Sequence, residues 1–145
     1  MVFRALTILL VDDDENFVVL FRLIAERTGR DVRLEVAGDG RQAVAYLTGD
    51  SPYTDRRAHP VPDLVVLDLK MPGMNGLEFL AWRQNSPSLR ALPVVVLTGS
   101  VSEKDQTEAM AKGATRFLTK PSELEQLRNT VVQILDLGTC HQRPD

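Results

Sequence analysis

The stretch Leu64-Val65-Val66-Leu67-Asp68 (residues 64–68) decides the fold of this chain of 145 residues. Four consecutive apolar residues that end in an acid are typical of a strand buried on both faces of a parallel sheet. In open α/β sheets the ligand crevice lies outside the carboxyl ends of the strands. We therefore expect Asp68 at the mouth of such a crevice.

Three further apolar runs end at polar or charged residues in the same way. They are Ile8–Val11 before Asp12 and Asp13, Val94–Leu97 before Thr98, and Phe117-Leu118 shortly before Lys120. Because the carboxyl ends of parallel strands share one edge of the sheet, these side chains are expected to meet Asp68 in a single cleft.

Strand and helix patterns alternate along the whole chain. Period-two and continuous apolar runs predict strands at Thr7–Val11, Val32–Ala37, Asp63–Leu67, Leu92–Leu97 and Thr115–Thr119. Apolar residues at three-and-four spacing and capping residues predict helices at Glu15–Thr28, Arg41–Leu47, Leu77–Asn85, Ser102–Ala114 and Ser122–Leu137. This alternation predicts a parallel α/β sheet with right-handed crossovers and helices on both faces. Known doubly wound, flavodoxin-like sheets of five strands have the order 2-1-3-4-5, and we expect this order here, with its switch point between strands 1 and 3.

Composition excludes several classes of protein. The length predicts a single domain, with a core over about residues 7–137 and a C-terminal tail at 138–145. A net charge of −3 gives no basic excess for nucleic acid, and no apolar stretch approaches the roughly 20 residues of a membrane span. The single Cys140 and two isolated histidines make a zinc site improbable and favour the cytoplasm.

Residues 48–62 hold three prolines and almost no hydrophobic periodicity. This composition predicts a surface loop, and its length is unusual for an α/β connection. We favour a mobile insertion over a binding loop. His59 lies in this loop without an acidic neighbour in sequence, so it is expected to be solvated.

The chemistry of the predicted cleft follows from its charges. Two unit charges about 4 Å apart cost about 4 kcal/mol at an effective dielectric constant of about 20, so three carboxylates require a cation. Carboxylate ligands with remaining waters are what Mg²⁺ prefers, and Lys120 adds a fixed positive charge. Asp68 is accessible as a nucleophile toward a phosphoryl group, whose oxygens Lys120 and the Thr98 hydroxyl would complement.

Four fragments together resemble the receiver domains of two-component response regulators, single-domain chemotaxis regulators among them. They are LLVDDD (9–14), DLVVLDLKMPGMNG (63–76), VVLTG (95–99) and FLTKP (117–121). The resemblance covers roughly Thr7 to Leu137. It implies a stand-alone signalling protein, not an enzyme, in which Asp68 accepts a phosphoryl group from a sensor histidine kinase and phosphorylation changes protein contacts.

The resemblance also implies a metal site. Asp13 would bind Mg²⁺ directly, Asp12 through water, and Asp68 together with the backbone carbonyl of Lys70 would complete the protein ligands.

The remaining roles concern the phosphoryl group. Thr98 would donate a hydrogen bond to it and Lys120 would pair with it. Phe117 matches the aromatic switch residue of the family. Lys70 and Ser100 occupy the positions at which the family tunes the lifetime of the phosphoryl group.

The long segment before Asp63 resembles the subfamily of receivers that work with bacterial phytochromes, several of which form homodimers through the face of helix 4, strand 5 and helix 5. We therefore expect a sensor histidine kinase as partner, with a homodimer through this face as an option. We expect no binding to nucleic acid or to a membrane.

Other interpretations of the same residues stay open. Asp12-Asp13-Asp14 alone is also typical of an acidic helix cap, and Thr98-Gly99-Ser100 is a weak match to a flavin phosphate loop. A phosphohydrolase of the haloacid dehalogenase type would use the same nucleophile, but it needs an aspartate where this chain has Lys70. A receiver-fold adaptor that works without phosphorylation is the third alternative.

Overall fold

The computed structural model describes residues 4–100 and 102–142. Strands and helices alternate in the order β1 Leu6–Val11, α1 Glu15–Arg27, β2 Val32–Ala37, α2 Gly40–Thr48, β3 Leu64–Leu67, α3 Gly76–Gln84, β4 Val94–Thr98, α4 Glu103–Ala111, β5 Arg116–Thr119 and α5 Leu124–Cys140. The sheet has the order β2-β1-β3-β4-β5, and every pairing is parallel. The predicted fold class and strand order are confirmed.

The register of the central strands aligns their carboxyl ends. Val11 of β1 pairs with Leu67 of β3, and Leu67 pairs with Val96 of β4. Asp12 and Asp68 therefore leave neighbouring strands at the same level of the sheet, at its switch point.

Two helical layers cover the sheet. Helices α2, α3 and α4 pack on one face around Tyr46, Phe79 and Ala109. Helices α1 and α5 cover the other face around Phe21 and Ile134. Strands β3 and β4 are buried along their whole length, which explains why their sequences are continuous apolar runs without alternation.

Side-chain caps fix several helix starts. The Asp14 carboxylate accepts hydrogen bonds from the backbone N–H groups of Asn16 and Phe17, and the Ser102 hydroxyl accepts one from Asp105. Asp14 and Ser102 are therefore the N-caps of α1 and α4.

Helix α5 differs most from its predicted bounds. It begins at Leu124 and ends at Cys140, so the predicted start at Ser122 and end at Leu137 are wrong, and the first residues of the predicted tail are helical. Gly138 lies against β1, where an added Cβ would come within 3.0 Å of the Leu6 side chain. Close packing of Gly138 on the sheet thus continues the helix past a glycine, a residue type that commonly ends helices.

Two other element ends differ from their predicted positions by more than one residue. Strand β4 begins at Val94, two residues after the predicted Leu92, because Pro93 has no N–H group for the ladder. Helix α4 ends at Ala111, before the predicted Ala114, because Gly113 adopts the left-handed conformation with φ 93°.

The loop of residues 49–62 packs against α2. The Arg56 guanidinium donates hydrogen bonds to the carbonyl oxygens of Tyr46 (2.8 Å) and Leu47 (2.9 Å) at the end of that helix. The His59 ring lies 5.1 Å from the Tyr53 ring and 5.8 Å from the Tyr46 ring. The prediction of a solvated His59 is wrong, since its side chain is only 30% exposed.

Among the described residues, no helix combines the length and the apolar character that a membrane crossing requires.

Candidate functional site

Three carboxylates meet at the carboxyl edge of β1 and β3. One carboxylate oxygen from each of Asp12, Asp13 and Asp68 lies within 4.8 Å of the other two. Asp12 and Asp68 are 3% and 7% exposed, whereas Asp13 is exposed to solvent. The cluster predicted from the ends of the apolar runs is therefore present.

Lys120 provides the positive charge of the cluster. Its Nζ atom lies 2.8 Å from Asp12 Oδ2 and 3.4 Å from Asp68 Oδ2. The same ammonium group lies 4.2 Å from the centroid of the Phe17 ring, on α1. The lysine that was expected at this edge thus bridges two of the three acids and contacts an aromatic face.

Burial and charge shift the pKa values of this pair. Burial raises the pKa of Asp12 above its ordinary value, although contacts with Lys120 work in the opposite direction. Burial alone would lower the pKa of Lys120, but its contacts with Asp12 and Asp68 outweigh burial and raise it. Lys120 therefore remains positively charged at neutral pH.

The connection after Asp68 is held tightly by backbone contacts. The Gly76 N–H donates a hydrogen bond to the Leu69 carbonyl (3.1 Å), and an added Cβ at Gly76 would lie 2.5 Å from the Asp68 carbonyl oxygen. Only glycine fits at this approach. Leu69 and Met71 are buried, which leaves the intervening Lys70 with its side chain 69% exposed.

Thr98 is fully buried at the end of β4. Its Oγ1 atom accepts a hydrogen bond from the Ser100 N–H at 3.3 Å. Its carbonyl oxygen accepts one from the Lys120 N–H at 2.7 Å, which fixes the start of the connection after β5 next to β4. The threonine and the lysine therefore lie at the same edge as the acids.

The other predicted residues lie around this edge. Phe117 is half-buried and packs against the cluster under α2, α3 and α4. Ser100 Oγ donates a hydrogen bond to Asp105 Oδ2 at 2.7 Å, and Lys70 Nζ lies 3.3 Å from the same oxygen.

Two residues of this edge were not predicted from the sequence. Phe17 has the helical spacing of a core residue, which concealed its contact with Lys120. Asp105 follows Ser102 at the spacing of a capping box, a signal for the helix start but not for its contacts with Lys70 and Ser100.

The donor set fits a divalent cation. Three negative charges face one positive charge, which leaves a formal excess of two. Within the described part of the chain, Asp68 Oδ1 is buried and has no hydrogen-bond partner. An unpartnered buried carboxylate oxygen among oxygen ligands suits Mg²⁺, which prefers a few carboxylates and retains waters.

Comparison with known proteins agrees with this geometry. The sequence profile of the response regulator receiver domain matches residues 8–132. The chain belongs to the response regulator receiver domain family. Receiver domains are generally not enzymes; histidine kinases phosphorylate them, and they bind Mg²⁺ or Mn²⁺ at an acidic pocket.

Three relatives illustrate the similarity. The probable methanogenesis regulatory protein FilR2 of Methanothrix harundinacea is 37% identical, over 88% of this chain and 79% of its own. The response regulator Rcp1 of Synechocystis is 34% identical, over 83% and 80%. The structure of the phosphorylated cyanobacterial phytochrome response regulator RcpA matches with a TM-score of 0.86 and 29% identity, over 96% and 97% of the two chains.

A metal-bound structure of Rcp1 is also similar to this chain. A solved structure of Rcp1 is its Mn²⁺-bound form, which matches with a TM-score of 0.79 and 34% identity over 88% of this chain and 90% of that one. Other curated relatives are longer, and this chain spans 45% of one and 24% of several others. The predicted resemblance to phytochrome-associated receivers is confirmed, because response regulators of that kind are among the similar proteins.

Proposed function

We propose that this receiver domain accepts a phosphoryl group on Asp68 from a sensor histidine kinase in a reaction that depends on Mg²⁺. The observation that carries the proposal is the position of Lys120, whose ammonium group contacts both Asp12 and Asp68 at the acidic edge of the sheet. A cluster that already contains a cation and still has an excess of negative charge is suited to a metal ion and a phosphoryl group together.

The metal would be held by Asp13 directly, by Asp12 through water, by Asp68, and by the backbone carbonyl of Lys70. The unpartnered Asp68 Oδ1 supports a ligand at this place. When bound, Mg²⁺ would neutralise charge on the carboxylates and on the transferred group.

The transfer itself uses the nucleophilic carboxylate of Asp68. One Asp68 oxygen forms a bond to phosphorus while the bond between phosphorus and the imidazole nitrogen of the donor phosphohistidine breaks. Lys120 then pairs with the new phosphoryl oxygens, and the Thr98 hydroxyl donates a hydrogen bond to one of them. Both side chains interact more strongly with the phosphorylated state, and this difference drives a change in conformation.

The change would reach a partner protein through the face of α4, β5 and α5. Phe117 lies half-buried on β5 and would turn inward as Thr98 moves. Met110 on α4 is 44% exposed, so this helix carries an exposed apolar side chain, which supports a protein contact at α4. We place the reaction in the cytoplasm. We propose a kinase of the bacterial phytochrome type as the phosphoryl donor, because the similar protein RcpA is a phytochrome response regulator.

The first experiment is the intact mass of the purified chain after incubation with Mg²⁺ and acetyl phosphate. We expect one added phosphoryl group in the wild-type chain. We expect none in Asp68→Asn or after removal of the metal with a chelator.

Asp50→Asn is the matched control, because it replaces an exposed carboxylate in the loop after α2 and should leave the uptake unchanged. If a rapid-quench time course detects no uptake in the wild-type chain, the proposal is wrong and the phosphate-independent adaptor is favoured. Turnover of a phosphate ester would instead favour the phosphohydrolase.

A further inference from the structure

The Asp105 carboxylate joins the two connections on either side of the phosphorylation site. Its Oδ2 atom accepts a hydrogen bond from Ser100 Oγ at 2.7 Å and lies 3.3 Å from Lys70 Nζ. Lys70 comes two residues after Asp68, and Ser100 comes two residues after Thr98. One oxygen on α4 therefore ties the connection after β3 to the connection after β4.

We propose that Asp105 is a positioning residue that holds the Lys70 ammonium group away from the phosphoryl group on Asp68 and thereby shortens the lifetime of that group. This inference rests on the proposed function, because it requires phosphorylation of Asp68.

The backbone around Lys70 is fixed, whereas its side chain is free except at its end. Leu69 and Met71 on either side are buried, so the position of the Lys70 Cα atom is set by the core. The side chain itself is 69% exposed, and among the described residues Asp105 is the acid that pairs with its ammonium group. Removal of that one carboxylate would release a flexible four-carbon chain with three donors.

A phosphoryl group on Asp68 would compete with Asp105 for this ammonium group. A phosphoryl group carries roughly −1.5 to −2 charges at neutral pH and three strong acceptor oxygens, against a single charge on Asp105. Once released, Lys70 can pair with these oxygens because it starts only two residues from Asp68. The pairing would place the lysine chain beside the phosphorus atom.

The position of Lys70 matters for hydrolysis because the attacking water must reach phosphorus in line with the bond that breaks. The water oxygen forms a bond to phosphorus and the bond from phosphorus to the Asp68 oxygen breaks. Inorganic phosphate leaves, a proton of the water passes to solvent, and the Asp68 carboxylate is restored. A lysine chain over the phosphoryl group obstructs this approach, so release of Lys70 should slow hydrolysis.

Ser100 contributes to the same arrangement. Its hydroxyl proton is donated to Asp105, and its oxygen accepts a hydrogen bond from the Ser102 N–H at 3.3 Å. Asparagine at position 105 keeps an acceptor for Ser100 but removes the charge that attracts Lys70. Asp105→Asn therefore tests the contact with the lysine separately from the contact with the serine.

The experiment measures the first-order loss of the phosphoryl group from chains phosphorylated with acetyl phosphate, by intact mass in the presence of Mg²⁺. Four chains form a double-mutant cycle: wild type, Asp105→Asn, Lys70→Met, and the double variant. We expect Asp105→Asn to lengthen the lifetime about threefold or more in the wild-type background, and to change it by less than about 1.5-fold in the Lys70→Met background.

Two control variants define the result. Asp105→Glu keeps the charge and should restore a lifetime close to that of the wild type. Glu103→Gln removes an exposed negative charge from the same first turn of α4 and should leave the lifetime unchanged.

An unchanged lifetime in Asp105→Asn, an equal change in the Lys70→Met background, or an equal effect of Glu103→Gln would overturn the inference while leaving the proposed function intact. A wild-type chain that takes up no phosphoryl group would overturn both.

Discussion

At the scale of single residues, the ammonium group of Lys120 serves as a built-in cation within the acidic cluster. This group bridges Asp12 and Asp68, two of the three acids of the proposed metal site. In the absence of metal this contact offsets the repulsion between two buried carboxylates. When a metal binds, lysine and metal share the same negative charge.

The variant Lys120→Met tests two effects of this lysine: it stabilises the buried carboxylates, and it competes with a metal ion for their negative charge. Without Mg²⁺, we expect the free energy of unfolding to fall by about 2 kcal/mol, because two buried carboxylates lose their charged partner. Mg²⁺ should bind about tenfold more tightly, because a competing cation is gone. Urea unfolding with and without Mg²⁺ measures both quantities.

Lys104→Met is the control, because Lys104 is exposed on α4 and its replacement should change neither quantity. Weaker binding of Mg²⁺ by Lys120→Met would contradict the view that lysine and metal compete.

At the scale of elements, Arg83 connects the end of α3 to two other segments. It is buried, and its guanidinium group donates hydrogen bonds to the carbonyl oxygens of Leu92 (2.6 Å), Arg90 (3.0 Å) and Gly113 (3.4 Å). These carbonyls lie before β4 and between α4 and β5. Burial lowers the pKa of Arg83, but an arginine remains protonated at neutral pH.

Replacement of Arg83 should destabilise the protein far more than replacement of its exposed neighbour. We expect Arg83→Met to lower the free energy of unfolding by about 3 kcal/mol, because it leaves several carbonyl oxygens without donors. Arg90→Met should change it by less than about 0.5 kcal/mol, since that side chain is exposed. Equal effects of the two variants in chemical unfolding would show that the Arg83 contacts contribute little.

At the scale of the whole molecule, Tyr46 connects α2, the core and the loop of residues 49–62. Its ring is buried, and its hydroxyl donates a hydrogen bond to the Pro60 carbonyl at 2.8 Å. Burial, together with the charge of Glu35, raises the pKa of Tyr46 above the ordinary value of 10.0. The folded protein therefore keeps a proton that the unfolded chain releases above about pH 10.

This difference predicts how the stability of the protein depends on alkaline pH. A group whose pKa is raised by folding stabilises the protein fully below its unfolded pKa and loses that effect as pH rises toward the folded pKa. Relative to Tyr46→Phe, the wild type should lose up to about 1.4 kcal/mol per pH unit above pH 10. At pH 8 the variant should be about 1 kcal/mol less stable because the hydrogen bond is lost.

Urea unfolding of both chains from pH 8 to pH 11 tests this prediction. The measurement at pH 8 serves as the internal reference. A stability difference between the two chains that stays constant over the whole range would contradict it.

Most of the fold was predictable because polar residues that directly follow apolar runs mark the carboxyl edge of a parallel sheet. The residues after β1 and β3 meet since parallel strands in register end together, and this follows from Leu64–Asp68 and its counterparts in the sequence. The order of elements and the acidic cluster therefore needed no knowledge of side-chain contacts.

Other features depend on which helix surfaces face each other. Asp105 has the sequence signal of a helix cap, Arg83 that of a helix surface, and His59 that of a loop, yet all three make tertiary contacts. The extension of α5 through Gly138 likewise depends on the Leu6 side chain across the core.

The sequence by itself determined the elements of this protein, their order and the edge at which Asp12, Asp68, Thr98 and Lys120 lie, because hydrophobic periodicity and strand ends are local properties. Only the tertiary structure decided that Lys120 bridges two acids and that Asp105 holds Lys70 and Ser100. The physical reason is distance along the chain: Lys120 lies 52 residues from Asp68, and Lys70 and Asp105 belong to different elements. Only pairing of the strands and packing of α4 on the sheet bring these groups together.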